Sequence, residues 1–466
     1  MRRRALVFGW LPAGAAARAT SKDPRLKNAF RRPEKNGWTF VRLAGAPREI
    51  GFQHGNLLAP EIQDAFRVIA YNLTSEGKKE WPFFREAAEK TFWPRVEDEY
   101  RQELEGIVEG LNAKGAKLDL WDLVAYNAAL EFSPNYLNWF NRKQNPSAAL
   151  RLSTADRCSA FVATGSYTRD GRIVIGHNNW TGYADGARWS MIFEISPAKG
   201  YRILMDGLPG YIHSGDDFGM NSAGIAITET TITQFDGFDP GGIPEFARAR
   251  KAMQYANSID EFARLMREGN NGAYANNWLV ADRNSGEIAS LELGLKNVEL
   301  RRTKDGYLSG ANFPVSEKLA REETDFPMND AGASANARRI RWDQLMAEHK
   351  GRIDVAAGQR FLSDHYDTFQ NKVEPNERTL CGHVDLSPRG LGRWQPPFGM
   401  AGTVQAKVAD AAMVERLSLT ACMGHPCGLH FRAADHLRRY PRFNASKPYL
   451  RNLPSRGWTD FGPDTK

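Results

Sequence analysis

The chain has 466 residues, 42% of them apolar and 25% charged, with four cysteines and a formal charge of +7. These values fit an ordinary globular protein, long enough for two lobes or one large layered domain. Residues 1–36 hold ten Lys/Arg against two Asp/Glu, so the remainder is near neutral and no basic face for nucleic acid is implied.

Residues 1–36 read as a signal-like or disordered basic arm. A basic start at Met1 is followed by a short apolar run, interrupted by Pro12, and a small-x-small end at Ala17-Arg-Ala19. That order suggests a secreted or periplasmic protein, with a cytoplasmic one as the alternative. No later run reaches the ~18 apolar residues of a membrane span, so no integral membrane segment is expected.

Residues 37–157 form a segment that is mainly helical after a first strand near 38–43. Tyr100, Leu104, Val108 and Leu111 recur at the spacing of one helix face, as do Trp121, Val124, Ala128 and Phe132. Gly51-Phe-Gln-His-Gly55 is placed ahead of the first long helix, with His54 as a packed residue. Residues 142–157 lack periodicity and read as a loop.

From residue 158 to about 312 the chain reads mostly as strand. Segments 158–164 and 172–176 flank an Asp170-Gly171 turn, a hairpin signal. Further strands are expected at 191–195, 201–205, 224–230, 278–282, 287–293 and 307–311, with one helix over 245–267. Residues 335–365 read as helix and 371–403 as loop. Two groups of strands with helices around them predict an α+β fold, a four-layer α/β/β/α sandwich with an N-terminal helical segment. Residues 158–466 would form its principal domain.

Cys158 is the candidate nucleophile, because it follows a loop and heads a strand of small residues, Ser159-Ala160. Antiparallel pairing returns the end of the next strand, Gly176-His-Asn-Asn-Trp180, close to it. His177 and Asn179 share one face there, and Asn178 and Trp180 the other. Asn276 and Asn277 open a later strand and offer amide donors for an oxyanion, although asparagine at a strand end also suits turn chemistry. Asp216 and Asp217 read as solvated loop carboxylates. If the bond between Arg157 and Cys158 is cut, the thiol shares its Cα with a free α-amine. The amine titrates at roughly 7.7–8.0 and a free thiol near 8.5, so one can serve as base for the other.

Cys381, Cys422 and Cys427 remain. Cys422 and Cys427 are close enough in sequence to pair as a disulfide. Cys381-Gly-His383 and the run Cys422-Met-Gly-His425-Pro-Cys427-Gly-Leu-His430 also supply metal-type ligands, but not at the two-residue spacing of common zinc knuckles. The assignment adopted has no metal and no cofactor, and leaves the disulfide open.

Several motifs occur in a recognisable order. They are Cys158-Ser-Ala, Gly176-His-Asn-Asn-Trp-Thr-Gly-Tyr183, Leu208-Pro-Gly-Tyr211, Glu229-Thr-Thr231 and Tyr274-Ala-Asn-Asn277. In that order the chain resembles the phospholipase B-like (lamina ancestor) family, and more distantly the cysteine-nucleophile acyltransferases and hydrolases of the penicillin acyltransferase type. The resemblance implies an N-terminal nucleophile (Ntn) hydrolase fold, made as a precursor and cut between Arg157 and Cys158 into two chains that stay associated. It implies hydrolysis of an acyl amide or ester on a small-molecule or lipid substrate. Carried over by position, Cys158, His177, Asn276 and Asn277 are the catalytic candidates, and Asn179, Trp180, Thr230 and Thr231 line the substrate pocket. An acyltransferase using the same site, a non-catalytic lipid-binding member of the fold, and a zinc hydrolase built on the C-terminal Cys/His residues are the rival readings.

Overall fold

The computed structural model describes residues 23–145, 158–215, 218–392 and 394–463. The signal-like residues 1–19, the proposed cleavage residue Arg157, and Asp216 and Asp217 lie outside that set. The strands in chain order begin with β1 (Phe30–Arg31), β2 (Thr39–Gly45), β3 (Cys158–Thr164), β4 (Val174–Gly182), β5 (Met191–Pro197) and β6 (Ile203–Gly207). They continue with β7 (Gly219–Asn221), β8 (Ile225–Thr231), β9 (Asn276–Asp282), β10 (Glu287–Leu293), β11 (Val298–Thr303) and β12 (Gly306–Gly310). After a small ribbon of β13 (Tyr366–Asp367) and β14 (Lys372–Val373) come β15 (Ala401–Asp410), β16 (Leu419–Met423) and β17 (Trp458–Phe461).

A nine-stranded sheet runs β1-β2-β5-β6-β7-β8-β9-β10-β11, and a six-stranded sheet runs β12-β3-β4-β15-β16-β17. The sheets face each other. One apolar cluster takes Ala160, Val162 and Ile175 from the smaller sheet and Leu204, Ala226, Leu279 and Ile288 from the larger. Alternation along each strand sends the intervening residues outward. Phe161, Ala163 and Val408 pack with Trp342 and Phe361 of the Ser334–Glu348 and Val355–Leu362 helices. Phe193, Val280 and Leu291 pack beneath the N-terminal helices and the pair Glu245–Tyr255 and Ile259–Arg267. These are the four layers expected from the sequence.

Two differences from the sequence reading have local causes. Gly51 and Gly55 fall inside an eleven-residue helix, Pro47–Leu57, rather than ahead of one. The expected 245–267 helix is two, because Ser258 caps the second by accepting from the Glu261 amide. The strand expected near 38–43 is β2, which lies within the large sheet, in parallel register with β5 from Thr39 against Met191 to Gly45 against Pro197. Among the described residues, no helix is long and apolar enough to cross a membrane.

Candidate active site

Cys158 is the first residue of β3 and pairs with Asn179 of β4. Ala160 and Val162 point between the sheets, so period-two alternation places the Cys158 side chain on the same inner face, at one end of the sandwich. The residue is 2% exposed.

Its backbone is held from both sides. The Cys158 N–H donates to Asn312 Oδ1 at 3.1 Å, and the Asn312 Nδ2 donates to the Thr231 carbonyl at 2.8 Å. Asn312 adopts φ +70°, a left-handed conformation that asparagine tolerates better than most residues. Arg338, fully buried on the Ser334–Glu348 helix, donates to the Cys158 carbonyl, to Ser159 Oγ (3.1 Å) and to Asn312 Oδ1 (3.0 Å). Its guanidinium lies 4.4 Å from the Trp180 ring centroid, a cation–π contact.

The residues singled out from the sequence divide into three groups. Asn179 lies directly across from Cys158, and its Nδ2 is buried with no hydrogen-bond partner among the described residues. Asn277 shares the inner face with Leu279; its Oδ1 accepts from Ser290 Oγ at 2.6 Å, leaving Nδ2 without a partner among the described residues. Thr230, paired with Asn277, reaches across to the smaller sheet, where a Cβ on Gly310 would meet its Oγ1 at 2.4 Å. Gly310 in turn pairs with Ala160. Asn179, Asn277 and Thr230 are therefore gathered at the Cys158 end of the inter-sheet space.

Asn276 and Thr231 pair with each other one position along, where alternation turns them toward the helical layer over the large sheet. His177 shares the face of Asn179 but pairs with Ala160, one rung further into the core. It is fully buried; burial drives its imidazole pKa well below the usual value, and the Lys407 ammonium pushes it further down. That environment keeps the ring neutral. Trp180 faces the other side of β4, under Arg338, with its indole N–H donating to the Leu380 carbonyl at 3.3 Å.

Neither Asn312 nor Arg338 stood out in the sequence. Asn312 is a single residue after a strand, and Arg338 is one of three arginines within four positions of a helix, which reads as a solvated face.

A cavity of about 150 Å³ opens beyond the end of β4. Its wall includes Thr181, two residues past Asn179 on the same face, together with Ile69, Leu73, Trp189 and Tyr211. Thr181 Oγ1 donates to Asp185 Oδ2 at 2.7 Å, and Asn72, Glu76 and Gln395 add further polar groups, so the wall is mixed. Tyr211 is carried by the 208–212 loop, which is tied down from below: the Gly210 N–H donates to His54 Nε2 at 2.9 Å. Burial lowers the His54 pKa to about 3, so its ring stays a neutral acceptor.

A sequence model of the Phospholipase B family matches residues 71–293, which include Cys158, both asparagine clusters and most of the cavity wall. Over that stretch the chain is similar to the phospholipase B-like family. It is 24% identical over 274 residues to an uncharacterized protein of Archaeoglobus fulgidus, covering 57% of this chain and 45% of the other. It is 24% identical over 367 residues to phospholipase B-like protein C of Dictyostelium discoideum, covering 69% and 63%. Against phospholipase B-like 1 of Homo sapiens the figures are 22% over 281 residues, 54% and 49%. The chain thus spans about half to two thirds of the length of these relatives. Among solved structures, a mutant conjugated bile acid hydrolase from Clostridium perfringens aligns with 57% of this chain and 88% of its own, at 12% identity and a TM-score of 0.32.

Proposed function

We propose that this protein, which resembles the phospholipase B-like family, is a self-processing Ntn hydrolase that cleaves an acyl amide or ester with Cys158 as nucleophile. The observation that carries the reading is the cradle of Cys158. Its nitrogen is held by Asn312, its carbonyl by Arg338, and amide donors of Asn179 and Asn277 are gathered on its face.

In the first step the Cys158 thiolate attacks the Arg157 carbonyl, so that the peptide bond becomes a thioester and the Cys158 nitrogen becomes a free amine. Water then hydrolyses the thioester, leaving a carboxylate on Arg157 and a free thiol. In each later turnover the α-amine, positioned by Asn312 Oδ1, takes the thiol proton and returns it to the leaving amine or alcohol. The asparagine NH₂ groups stabilise the tetrahedral oxyanion; one such donor is typically worth ~2.7–4 kcal/mol. The acyl group occupies the cavity past Thr181, whose mixed wall suits a small-molecule or lipid acyl chain. The neutral, core-facing His177 supports the cleft and does not serve as base.

N-terminal sequencing and intact mass of the purified protein test this. Two associated chains are expected, the second beginning at Cys158, and Cys158→Ala should give one uncut, folded chain without turnover. A fully active preparation made of a single intact polypeptide would overturn the mechanism. Product analysis with an added amine acceptor distinguishes hydrolysis from acyl transfer.

A further inference from the structure

On the outer side of β4, away from the nucleophile, four side chains with metal-ligand chemistry converge. One ligand atom each from His365, Cys381, His383 and Cys427 lies within 4.8 Å of all the others. His365 follows the Val355–Leu362 helix, Cys381 and His383 flank Gly382 in the next loop, and Cys427 comes from the turn after β16. Both sulfurs lie 3.5 Å from His383 Nε2. Around a tetrahedral zinc ion, Zn–S bonds of about 2.3 Å and Zn–N bonds of about 2.0–2.1 Å put neighbouring sulfur and nitrogen about 3.6 Å apart. The observed spacing is that of two edges of such a tetrahedron.

The surroundings also match what a metal-bound imidazole needs. With Nε2 directed at the sulfurs, Nδ1 of His383 faces Asp385, whose Oδ1 is 3.8 Å away. Asp385 accepts from the Tyr183 hydroxyl at 2.7 Å, that hydroxyl lies 3.0 Å from His425 Nε2, and the His425 ring stacks on His383 at 4.2 Å. A carboxylate behind the far nitrogen of a ligating histidine fixes the ring and its tautomer. Cys381 and His383 are buried, Cys427 is partly buried, and all three cysteines outside the nucleophile have free thiols. The disulfide considered from sequence, Cys422 with Cys427, is not formed. Cys422 packs into the helical-side core while Cys427 turns toward His383.

We infer that His365, Cys381, His383 and Cys427 bind one zinc ion in a closed Cys₂His₂ centre. Binding displaces the two thiol protons. Four protein ligands leave no open position for water or substrate, so the centre is structural. It ties the 365–383 segment to the turn after β16, directly behind the strand that faces the nucleophile. Leu380, beside Cys381, accepts from Asn178 Nδ2 (2.8 Å) and from the Trp180 indole (3.3 Å). Gly382 packs so tightly that a Cβ there would lie 2.0 Å from the Trp180 ring, and the same ring is in cation–π contact with Arg338. The metal would thereby hold the wall against which Arg338 positions Cys158.

Full-length protein purified without chelator should contain about one zinc per chain by elemental analysis. Cys422→Ser should keep the zinc, and Cys427→Ser and His365→Ala should lose most of it. Alkylation of Cys381 and Cys427 should be blocked until a chelator is added. If the ligand variants do not fold, the reduced wild-type chain still decides: stripped and loaded with cobalt, it should show the intense visible absorption of tetrahedral, thiolate-ligated Co²⁺. A weak octahedral cobalt spectrum, no zinc bound before or after titration with Zn²⁺, or a Cys381–Cys427 disulfide in the native protein would each overturn the inference.

Discussion

The close crossing of the Pro47–Leu57 and Asp98–Asn112 helices sets two opposed effects against each other at Gly55. Replacing this helical glycine by alanine should stabilise by about 1 kcal/mol on helix propensity alone. The crossing opposes that gain. A Cβ at Gly55 would sit 2.1 Å from the Ile107 carbonyl oxygen and 3.0 Å from the Leu111 nitrogen. Ordinary contact begins at 3.4 Å, so the helices would have to part locally by about 1.3 Å. Neither obstacle can rotate away, since both are backbone. The partner helix is equally close: a Cβ on Gly106 or Gly110 would lie 2.3 or 2.2 Å from the Arg48 or Phe52 carbonyl oxygen. A radial gap of 0.5–1 Å already forfeits about a quarter to a half of each dispersion contact, and overpacking of this kind typically costs about 1–3 kcal/mol, occasionally more.

With the cost at the upper end of that range, Gly55→Ala should be destabilised by about 2 kcal/mol net, and Gly51→Ala, whose Cβ meets the Glu103 carbonyl at 1.9 Å, by at least as much. At about 2.1 cal/mol/K of unfolding entropy per residue, 1 kcal/mol moves the Tm of so long a chain by only ~1 °C. Denaturant titration is therefore the better assay, with Tm as a check. The exposed Gly241, where a Cβ would meet only the Asp239 carboxylate at 3.2 Å, is the control and should change little. His54 sits between the two glycines and holds the Gly210 amide, so the same variants should disturb the Tyr211 side of the cavity. If Gly55→Ala were as stable as the wild type or more so, propensity would outweigh the crossing and the close-approach reasoning would fail.

Arg338→Lys keeps the charge but loses the planar fork that reaches Cys158, Ser159 and Asn312. At about 1.5–3 kcal/mol per charged hydrogen bond, processing and kcat should fall at least ~100-fold with KM little changed, and wild-type rates in a folded variant would contradict this. The fully buried pair of Lys407 Nζ and Asp206 Oδ2, 2.9 Å apart, bridges the two sheets. Lys407→Met strands the carboxylate and should cost about 3–5 kcal/mol in denaturant unfolding, with recovery when Asp206→Leu is added. Burial raises the Glu292 pKa from 4.5 to about 7, against the pull of the Val315 and Ser316 amides. A carboxyl with a raised folded pKa stabilises fully below 4.5 and loses that contribution as pH rises through about 7. Glu292→Gln should therefore gain on the wild type by up to about 3 kcal/mol between pH 4.5 and 8, and parallel stability curves over that window would refute the assignment.

What could be read from the sequence was local. Alternation and an Asp170-Gly171 turn placed Cys158 and the 177–180 cluster on adjacent strands, and the structure pairs Cys158 with Asn179. The 287–293 strand lies where its pattern put it. What stayed hidden depends on partners far along the chain. Gln405 and Lys407 make β15 look half-solvated, yet both are fully buried because Asp206 of the opposite sheet meets them at 2.9 Å. Gly51 and Gly55 weaken the helical signal of 47–57, and only the crossing with Gly106 and Gly110 explains them. Arg338 is buried while its neighbours Arg339 and Arg341 are partly exposed, a distinction that helical spacing alone does not assign to one of the three.

The way the contacts are divided along the chain bears on what a cut at Cys158 would do. Asn312 and Arg338, which hold the nitrogen and carbonyl of Cys158, lie after the cut, as do Asn179 and Asn277. The residues before it supply β1 and β2 to the large sheet, the helical cover over its outer face, and the Ile69–Leu73 side of the cavity. The support of Cys158 therefore resides in one piece and much of the cavity wall in the other. With β2 hydrogen-bonded to β5 along seven residues, separating the pieces would expose the apolar floor of the large sheet and leave a strand unpaired. Cleavage would free an amine at a site already held in place, and the two chains should come apart only under conditions that unfold the sandwich.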